Sequence, residues 1–327
     1  MKLLGIDIGG TKCGVTLANY ENKKLRFIDK ITFPTENSPD YILQKLINET
    51  KKTLHKHSLA TSHISALGIN CGGPLDTKNG IILCPPNLPG WVTIPVVKCF
   101  KTELQIPCFL QNDANAGAIA EHLFGAGQGF DNIIFLTHGT GMGAGLILNG
   151  KLYSGTNDMA GEVGHIRLER FGPVGFGKAG SFEGFCSGGG IARLAQTMAL
   201  EKLQVGEAVG FCKTLQDLPG ITAKTVADSA RAGDLLAKEV FAISGKYLGQ
   251  ALALFIDILN PQRILLGSIY GHCQGLLQET MFAEITKEAL SFSRNVCEIL
   301  PCGLGDAIND YEAVSIALYG ITTGGKT

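Results

Sequence analysis

Leu3-Leu4-Gly5-Ile6-Asp7-Ile8-Gly9-Gly10-Thr11-Lys12 opens the chain and continues as Cys13-Gly14-Val15-Thr16-Leu17-Ala18. An apolar strand carrying one acid, Asp7, runs into two glycines, a threonine and a lysine, and a second apolar strand follows. Glycine lets backbone amides approach an anion with no Cβ in the way, and successive N–H groups in a tight turn form an anion-binding nest. A carboxylate a few residues back can hold the Mg²⁺ that travels with a nucleotide. A Walker loop leads from strand into helix, and so does a dinucleotide fingerprint. Here strand joins strand. The blander reading is an ordinary glycine hairpin with a buried Asp.

The pattern recurs. Asn132-Ile133-Ile134-Phe135-Leu136-Thr137 is followed by His138-Gly139-Thr140-Gly141-Met142-Gly143-Ala144-Gly145 and then by Leu146-Ile147-Leu148. Two strand–Gly/Thr–strand turns predict duplicated halves that hold one polyphosphate between them.

The bulk properties fit that frame. A chain of 327 residues with 45% hydrophobic content and 43 glycines is long enough for two α/β domains rich in tight turns. The net charge of −1 gives no electrostatic case for nucleic acid or a membrane surface. No stretch reads as the roughly 20 consecutive apolar residues of a membrane span. The acidic, glycine-containing start differs from a secretion signal, and a cytoplasmic location is expected. The ten cysteines show no Cys-x-x-Cys spacing, and most lie in apolar runs, as Cys108 does in Ile106-Pro107-Cys108-Phe109-Leu110. They read as buried free thiols, not a disulfide framework.

Strands are expected near 26–32, 64–70 and 106–111. A helix is expected near 40–57, with Ile42, Leu43, Leu46, Ile47 and Leu54 on its apolar stripe. Asn112-Asp113-Ala114-Asn115 opens a small-residue helix reaching about Phe124. Tyr153 to Gly190 is an irregular stretch with eleven glycines. Helices are expected near 191–204, 222–231, 234–259 and 276–290, strands near 263–266 and 296–300, and a last helix from Ile308. Strands alternating with helices favour a mainly parallel or mixed sheet.

Three constellations carry chemistry. Asn112-Asp113 stands where a strand ends and a helix begins, so either residue can serve as a helix cap. Asp113 can also be a general base, since phosphoryl transfer to an alcohol needs a carboxylate within reach of the attacking hydroxyl. Gly161-Glu162-Val163-Gly164-His165 sets an acid and a histidine between glycines, an arrangement able to bind several sugar hydroxyls. Glu183, in Gly180-Ser181-Phe182-Glu183-Gly184, is a third candidate that taken alone reads as a surface or cap residue.

The ordered set Asp-Ile-Gly-Gly-Thr-Lys, Pro-Asn-Leu-Pro-Gly-Trp, Asn-Asp-Ala-Asn-Ala, Thr-x-Gly-Thr-Gly-x-Gly and Ala-Gly-Glu-x-Gly-His resembles the ROK family of repressors, open reading frames and kinases, from about Leu3 to Ile321. The resemblance implies an α/β, actin-like (ribonuclease H-like) ATPase fold with a nucleotide and sugar cleft between two similar domains. Residues 1–112 with about 305–327 would form the smaller domain and 113–304 the larger. It implies that Asp7, Gly9, Gly10, Thr11 and Lys12 form the first phosphate loop, with Mg²⁺ near Asp7, directly or through water. Thr137, Gly139, Thr140 and Gly141 would belong to the second loop, with Gly267 near the adenosine. Asp113 matches the family's catalytic base, and Asn112, Glu162, His165 and Glu183 its sugar contacts, with Gly73 and Asn87 near the same pocket. ATP and Mg²⁺ are the implied cofactors, a free hexose or hexose derivative the implied substrate, and a homodimer a family-level expectation.

One departure stands out. Many relatives carry a structural zinc site of three cysteines and the histidine after the Glu-x-Gly-His motif. Here Val174, Phe176 and Ser181 occupy the cysteine positions, and a tetrahedral zinc site cannot be built from His165 alone. No structural zinc is expected, and Phe176 and Phe182 are expected to pack the loop by burial instead. Two rivals remain. A sugar-responsive repressor would place a helix-turn-helix domain ahead of this fold, and six residues precede Asp7. The other is a catalytically silent sugar-binding regulator on the same fold.

Overall fold

The structure is a computed structural model and describes residues 1–36 and 38–324. Its principal strands are β1 (Lys2–Ile8), β2 (Lys12–Glu21), β3 (Lys24–Pro34), β4 (Ile64–Cys71), β5 (Cys108–Gln111), β6 (Ile133–Leu136), β7 (Ala144–Leu148), β8 (Lys151–Leu152), β9 (Arg263–Leu266) and β10 (Glu298–Pro301). Its principal helices are α1 (Pro39–Lys56), α2 (Val96–Leu104), α3 (Asp113–Phe124), α4 (Phe182–Cys186), α5 (Gly188–Gln204), α6 (Ala223–Arg231), α7 (Leu235–Leu259), α8 (Ser268–Glu288) and α9 (Ile308–Thr322).

Packing divides the chain into two units, one of 1–131, 145–160 and 306 onward, the other of 132–144 and 161–305. The boundary expected after Asn112 differs from this division. Helix α3 and residues 145–160 fall in the first unit because Gly145 lets β7 lie on α3: a Cβ there would stand 2.2 Å from the Ala114 carbonyl oxygen. Residues 325–327, the end of the span expected to rejoin the smaller domain, lie outside the described residues.

In the first unit, β3, β2 and β1 form an antiparallel meander, and β4 and β5 add in parallel, giving the order β3-β2-β1-β4-β5. The parallel strands require crossovers, which α1 and α2 supply. Ser38 caps α1 by accepting from the Tyr41 N–H, and Ile42, Leu43, Leu46, Ile47 and Leu54 are buried, as their spacing predicts. Leu4, Ile6 and Ile8 of β1 point into this core with Trp91 and Phe100. Alternation puts Leu3 on the opposite face, where it packs with Val314, Ala317 and Leu318 of α9. Asp7 shares that second face.

In the second unit, β6, β9 and β10 run parallel, with Ile134 opposite Ile264 and Ile264 opposite Ile299. The order of β1, glycine turn and antiparallel β2 repeats as β6, glycine turn and the antiparallel pair β7–β8, the latter lying in the first unit. Helix α7 is the one helix among the described residues long and apolar enough to cross a membrane by length and composition, but Lys238, Glu239, Lys246 and Asp257 interrupt it, so it is not a run of about 20 apolar residues. Here it is a core helix, burying Val240, Phe241, Leu248, Leu252, Phe255 and Ile256. Helix α8 starts eight residues ahead of the expected Leu276, because Gly271 and Gly275 interrupt its apolar pattern and its backbone leaves helical geometry at Cys273. The ten cysteines are free thiols, of which Cys84 is exposed.

Candidate active site

Each unit carries its own cluster of candidate residues. In the first, the turn after β1 closes through a Gly9 N–H bond to the Lys12 carbonyl at 3.1 Å and is braced by the Thr35 hydroxyl, which donates to the Gly9 carbonyl at 2.6 Å. Glycine is needed at Gly10, where a Cβ would stand 2.4 Å from the Asn87 carbonyl oxygen. That contact brings Asn87 to the turn. Its side-chain oxygen also lies near Gly72, 3.3 Å from where a Cβ there would sit, while Gly73 has no atom within 4 Å of that position. Thr11 and Lys12 are exposed at the tip.

Asp7 sits one strand-end below, and burial pushes its carboxyl up to about 6. Lys12, Lys30 and the Asn70 hydrogen bond work against that rise, while Asp113 adds to it. Asn70, in register with Asp7 on the neighbouring strand, donates from Nδ2 to Asp7 Oδ1 at 3.3 Å and to Glu312 Oε2 at 2.9 Å. Glu312 of α9 is buried, and its carboxyl is pushed up to about 8 by desolvation first, then by Asp113 and Asp7.

Asn112 and Asp113 divide the two roles weighed from the sequence. Asn112 caps α3, its Oδ1 accepting from the Asn115 N–H at 2.8 Å. Asp113, the first residue of the helix, has an exposed side chain whose oxygen accepts from its neighbour's N–H, Ala114, at 2.9 Å. The protein around it raises its carboxyl by desolvation, against the Ala114 bond. A basic, solvent-accessible carboxylate at a strand end is suited to taking a proton from an incoming hydroxyl.

In the second unit, the turn after β6 is closed by Thr137, whose N–H donates to the Gly143 carbonyl at 3.0 Å and whose hydroxyl accepts from the Gly143 N–H at 3.1 Å. It is docked on α5 by the Gly188 N–H, which donates to the Gly139 carbonyl at 2.8 Å. Buried His138 pegs it from below, its Nε2 2.9 Å from the Cys186 carbonyl. Burial lowers this imidazole to about 4, so it is neutral, with the proton on Nε2 where the carbonyl accepts it. Gly267 reaches the same turn, a Cβ there standing 2.7 Å from the Thr137 carbonyl oxygen.

Glu183, which alone reads as a surface or cap residue, is drawn to the turn. Ser181 caps α4, Glu183 lies in the helix's first turn, and its Oε2 accepts from the Met142 N–H at 3.1 Å. Glu162 precedes and His165 ends a 3₁₀ turn at Val163–His165. The bracketing glycines let this segment lie on the turn's exit, since a Cβ at Gly161 would stand 1.9 Å from the Ala144 carbonyl oxygen and one at Gly164 2.2 Å from that of Met142. Glu162 and His165 are exposed there. Thr140 is exposed at the tip of the turn, beside Gly139 and Gly141.

The residues fit a nucleotide with its cation. Gly139 faces open space, its nearest neighbour being the Thr137 oxygen at 3.9 Å from a built Cβ, which is a cradle a side chain would fill. Among the described residues no three His, Cys, Asp or Glu side chains form a metal-binding group. A single carboxylate, Asp7, suits Mg²⁺, which keeps waters and leans on phosphate oxygens instead of an all-protein cage.

The loop at the cysteine-equivalent positions corrects one expectation. Phe182 is fully buried, its ring 6.0 Å from that of Phe255, as expected. Phe176 is 73% exposed. It occupies the tip of a hairpin pairing Val174 with Ala179, where it and Gly177 have φ of 40° and 76°, and a tip residue has no core to enter. Its ring stands edge-on to His165 at 6.5 Å. Sequence reasoning missed Asn70, Glu312 and the pegging role of His138. The available signal was the amide of Asn70 at the end of an apolar run, whereas Glu312 stands beside Asp310 and Tyr311 with no such signal.

The sequence profile of the ROK family matches residues 3–314. The glucokinase of Halalkalibacterium halodurans is 32% identical over 269 residues, 81% of this chain and 79% of that protein. The xylose repressor of Bacillus subtilis is 27% identical over 303 residues, 92% of this chain and 73% of that protein. The crystal structure of a ROK family glucokinase from Streptomyces griseus, in complex with glucose and AMPPNP, superposes with a TM-score of 0.73 at 26% identity, covering 98% of this chain and all of that one. The fold is the actin-like, ribonuclease H-like ATPase fold.

Proposed function

The chain belongs to the ROK family, and we propose that it is an ATP- and Mg²⁺-dependent kinase that phosphorylates a free hexose or hexose derivative with Asp113 as general base. The glucokinase relatives support sugar phosphorylation at the family level. The observation that carries the proposal is the pairing, in one unit, of an accessible, basic Asp113 with Asp7 beneath a glycine turn.

Asp113 accepts the proton of the attacking hydroxyl. Asn112, its oxygen committed to the cap, presents its amide N–H to the sugar. In this reading Glu162, His165 and Glu183 are the sugar contacts of the second unit, and Gly73 and Asn87 belong to the sugar's surroundings in the first. Amides of Gly9 to Lys12 and of Thr137 to Gly141 face the phosphates, with Gly267 beside the adenosine. Asp7 would hold Mg²⁺, which would supply charge neutralisation at the phosphoryl oxygens. The proposed enzyme is cytoplasmic, works without structural zinc and forms a homodimer.

The test is ADP release from Mg·ATP across a panel of free hexoses and N-acetylhexosamines, with Asp113→Asn in parallel. Sugar-dependent turnover should fall by about 10²- to 10⁴-fold in the variant, with sugar binding retained. Near-normal turnover in Asp113→Asn would remove Asp113 from the base's role. The likeness to the xylose repressor supports a second reading, a silent sugar-binding regulator, which saturable sugar binding without turnover would favour.

A further inference from the structure

We propose that Asn70 and Glu312 are positioning residues for Asp7, a buried strut that fixes the aim of its carboxylate toward the nucleotide-borne cation; this rests on the phosphoryl-transfer reading above. Strands β1 and β4 run parallel, with Gly5 opposite Gly68 and Asp7 opposite Asn70. Side chains alternate along a strand, so these four residues share one face. The glycine pair makes a flat step on which α9 rests. A Cβ on Gly5 would stand 2.9 Å from Ala313 Cβ, and one on Gly68 2.0 Å from the Ala313 carbonyl oxygen.

Glu312 precedes Ala313, and the helix thereby delivers its carboxyl to the next pair along the strands. The Asn70 amide uses its two hydrogens on two carboxyl groups, Glu312 Oε2 at 2.9 Å and Asp7 Oδ1 at 3.3 Å. Its own oxygen is buried with no hydrogen-bond partner, so those two bonds set how the amide lies. Both strut residues are buried, at 5% and 7% exposure. Burying an amide and an acid side by side is unfavourable beside an apolar pair of the same shape. The pair stands behind the one carboxylate that opens toward the glycine turn. Partners of this kind orient a metal-binding carboxylate, and their loss commonly weakens metal affinity by about tenfold or more.

The test uses the full chain as wild type, Glu312→Ala, Asn70→Ala and Glu312→Gln, with thermal melting to confirm folding. ATP binding is titrated by calorimetry at a series of Mg²⁺ concentrations, and the Mg²⁺ activation constant of turnover is measured in parallel. Glu312→Ala and Asn70→Ala should need about tenfold more Mg²⁺, with sugar affinity unchanged. Glu312→Gln should recover most of the loss, because its amide oxygen can still accept from Asn70. The strut is overturned if either alanine variant keeps the wild-type Mg²⁺ dependence, or if Glu312→Gln is as weak as Glu312→Ala. Should Glu312→Ala fail to fold, Asn70→Ala against Glu312→Gln decides the matter alone. Calorimetry does not depend on turnover, so absence of sugar-dependent ADP release from wild type would defeat the kinase reading while the strut is still judged by binding.

Discussion

Gly68→Ala strikes the frame beneath Asp7 at its tightest point. The added Cβ would stand 2.0 Å from the Ala313 carbonyl oxygen, 2.6 Å from the Ala317 nitrogen and 2.9 Å from Ile316 Cβ, where ordinary contact begins at 3.4 Å. Two of these neighbours are helix backbone and cannot rotate away, so α9 must retreat by more than about 1 Å. Overpacking of this kind destabilises by about 1–3 kcal/mol. The retreat also loosens Val314, Ala317 and Leu318 from Leu3 and Ala66 and stretches the Asn70–Glu312 bond, which adds about 1 kcal/mol. A total loss near 3 kcal/mol is expected. Gly275→Ala is the matched control. It lies exposed in α8 with no atom within 4 Å of the new Cβ, and the same substitution there should stabilise by about 0.5–1 kcal/mol. The chain has two units, so hydrogen exchange at the α9 amides reads the first unit by itself, with urea unfolding alongside. Gly68→Ala within about 1 kcal/mol of wild type, with α9 protection intact, would refute the helix-on-glycine packing and the strut's geometry with it.

Two further predictions concern stability. Glu312 moves from 4.5 to about 8 on folding, so its favourable contribution is fully present below pH 4.5 and lost as pH rises through about 8. Against Asp7, Asp113 and Asn70, the groups that face it, ionisation costs roughly 3–5 kcal/mol at the upper end. Glu312→Gln should therefore gain on wild type steadily between those limits in chemical denaturation, and a constant difference across them would contradict a raised carboxyl. In the cysteine-free loop, Phe182→Ala should cost about 3–5 kcal/mol and Phe176→Ala within about 0.5 kcal/mol. Equal effects in thermal melts would mean that the loop is held by something other than Phe182.

The elements easiest to read had an uninterrupted local period. Helix α1 and strand β9 lie within a residue or so of their expected ends, because each is specified by its own apolar spacing and its own stop signals. The first turns of helix α8 are hidden in the sequence because Gly271 and Gly275 occupy positions where an apolar residue would mark the stripe. The segment after Tyr153 has no period to read. Its α4 is fixed by a contact with the second turn, Glu183 on Met142, and its hairpin by close approach to α4, as of Gly175 to the Gly184 nitrogen. Asp113 was legible because strand end and helix start are both local. Glu312 was not, since the bond that gives it meaning spans 242 residues.

Glycine shows most clearly what sequence leaves undivided. Gly10, Gly68 and Gly161 are closed positions, each with a backbone oxygen within 2.4 Å of a built Cβ, whereas Gly73 and Gly139 border open space. The first group is glycine because chain meets chain. Folding alone accounts for it, and a side chain there is a defect whether or not a ligand exists. The open pair has no such reason in the folded chain. The same openness surrounds Gly271 and Gly275 of α8, so open space alone does not mark a ligand site, and a side chain at Gly73 or Gly139 is a question for binding and not for packing. A side chain at Gly68 is read in unfolding; one at Gly139 is read in binding.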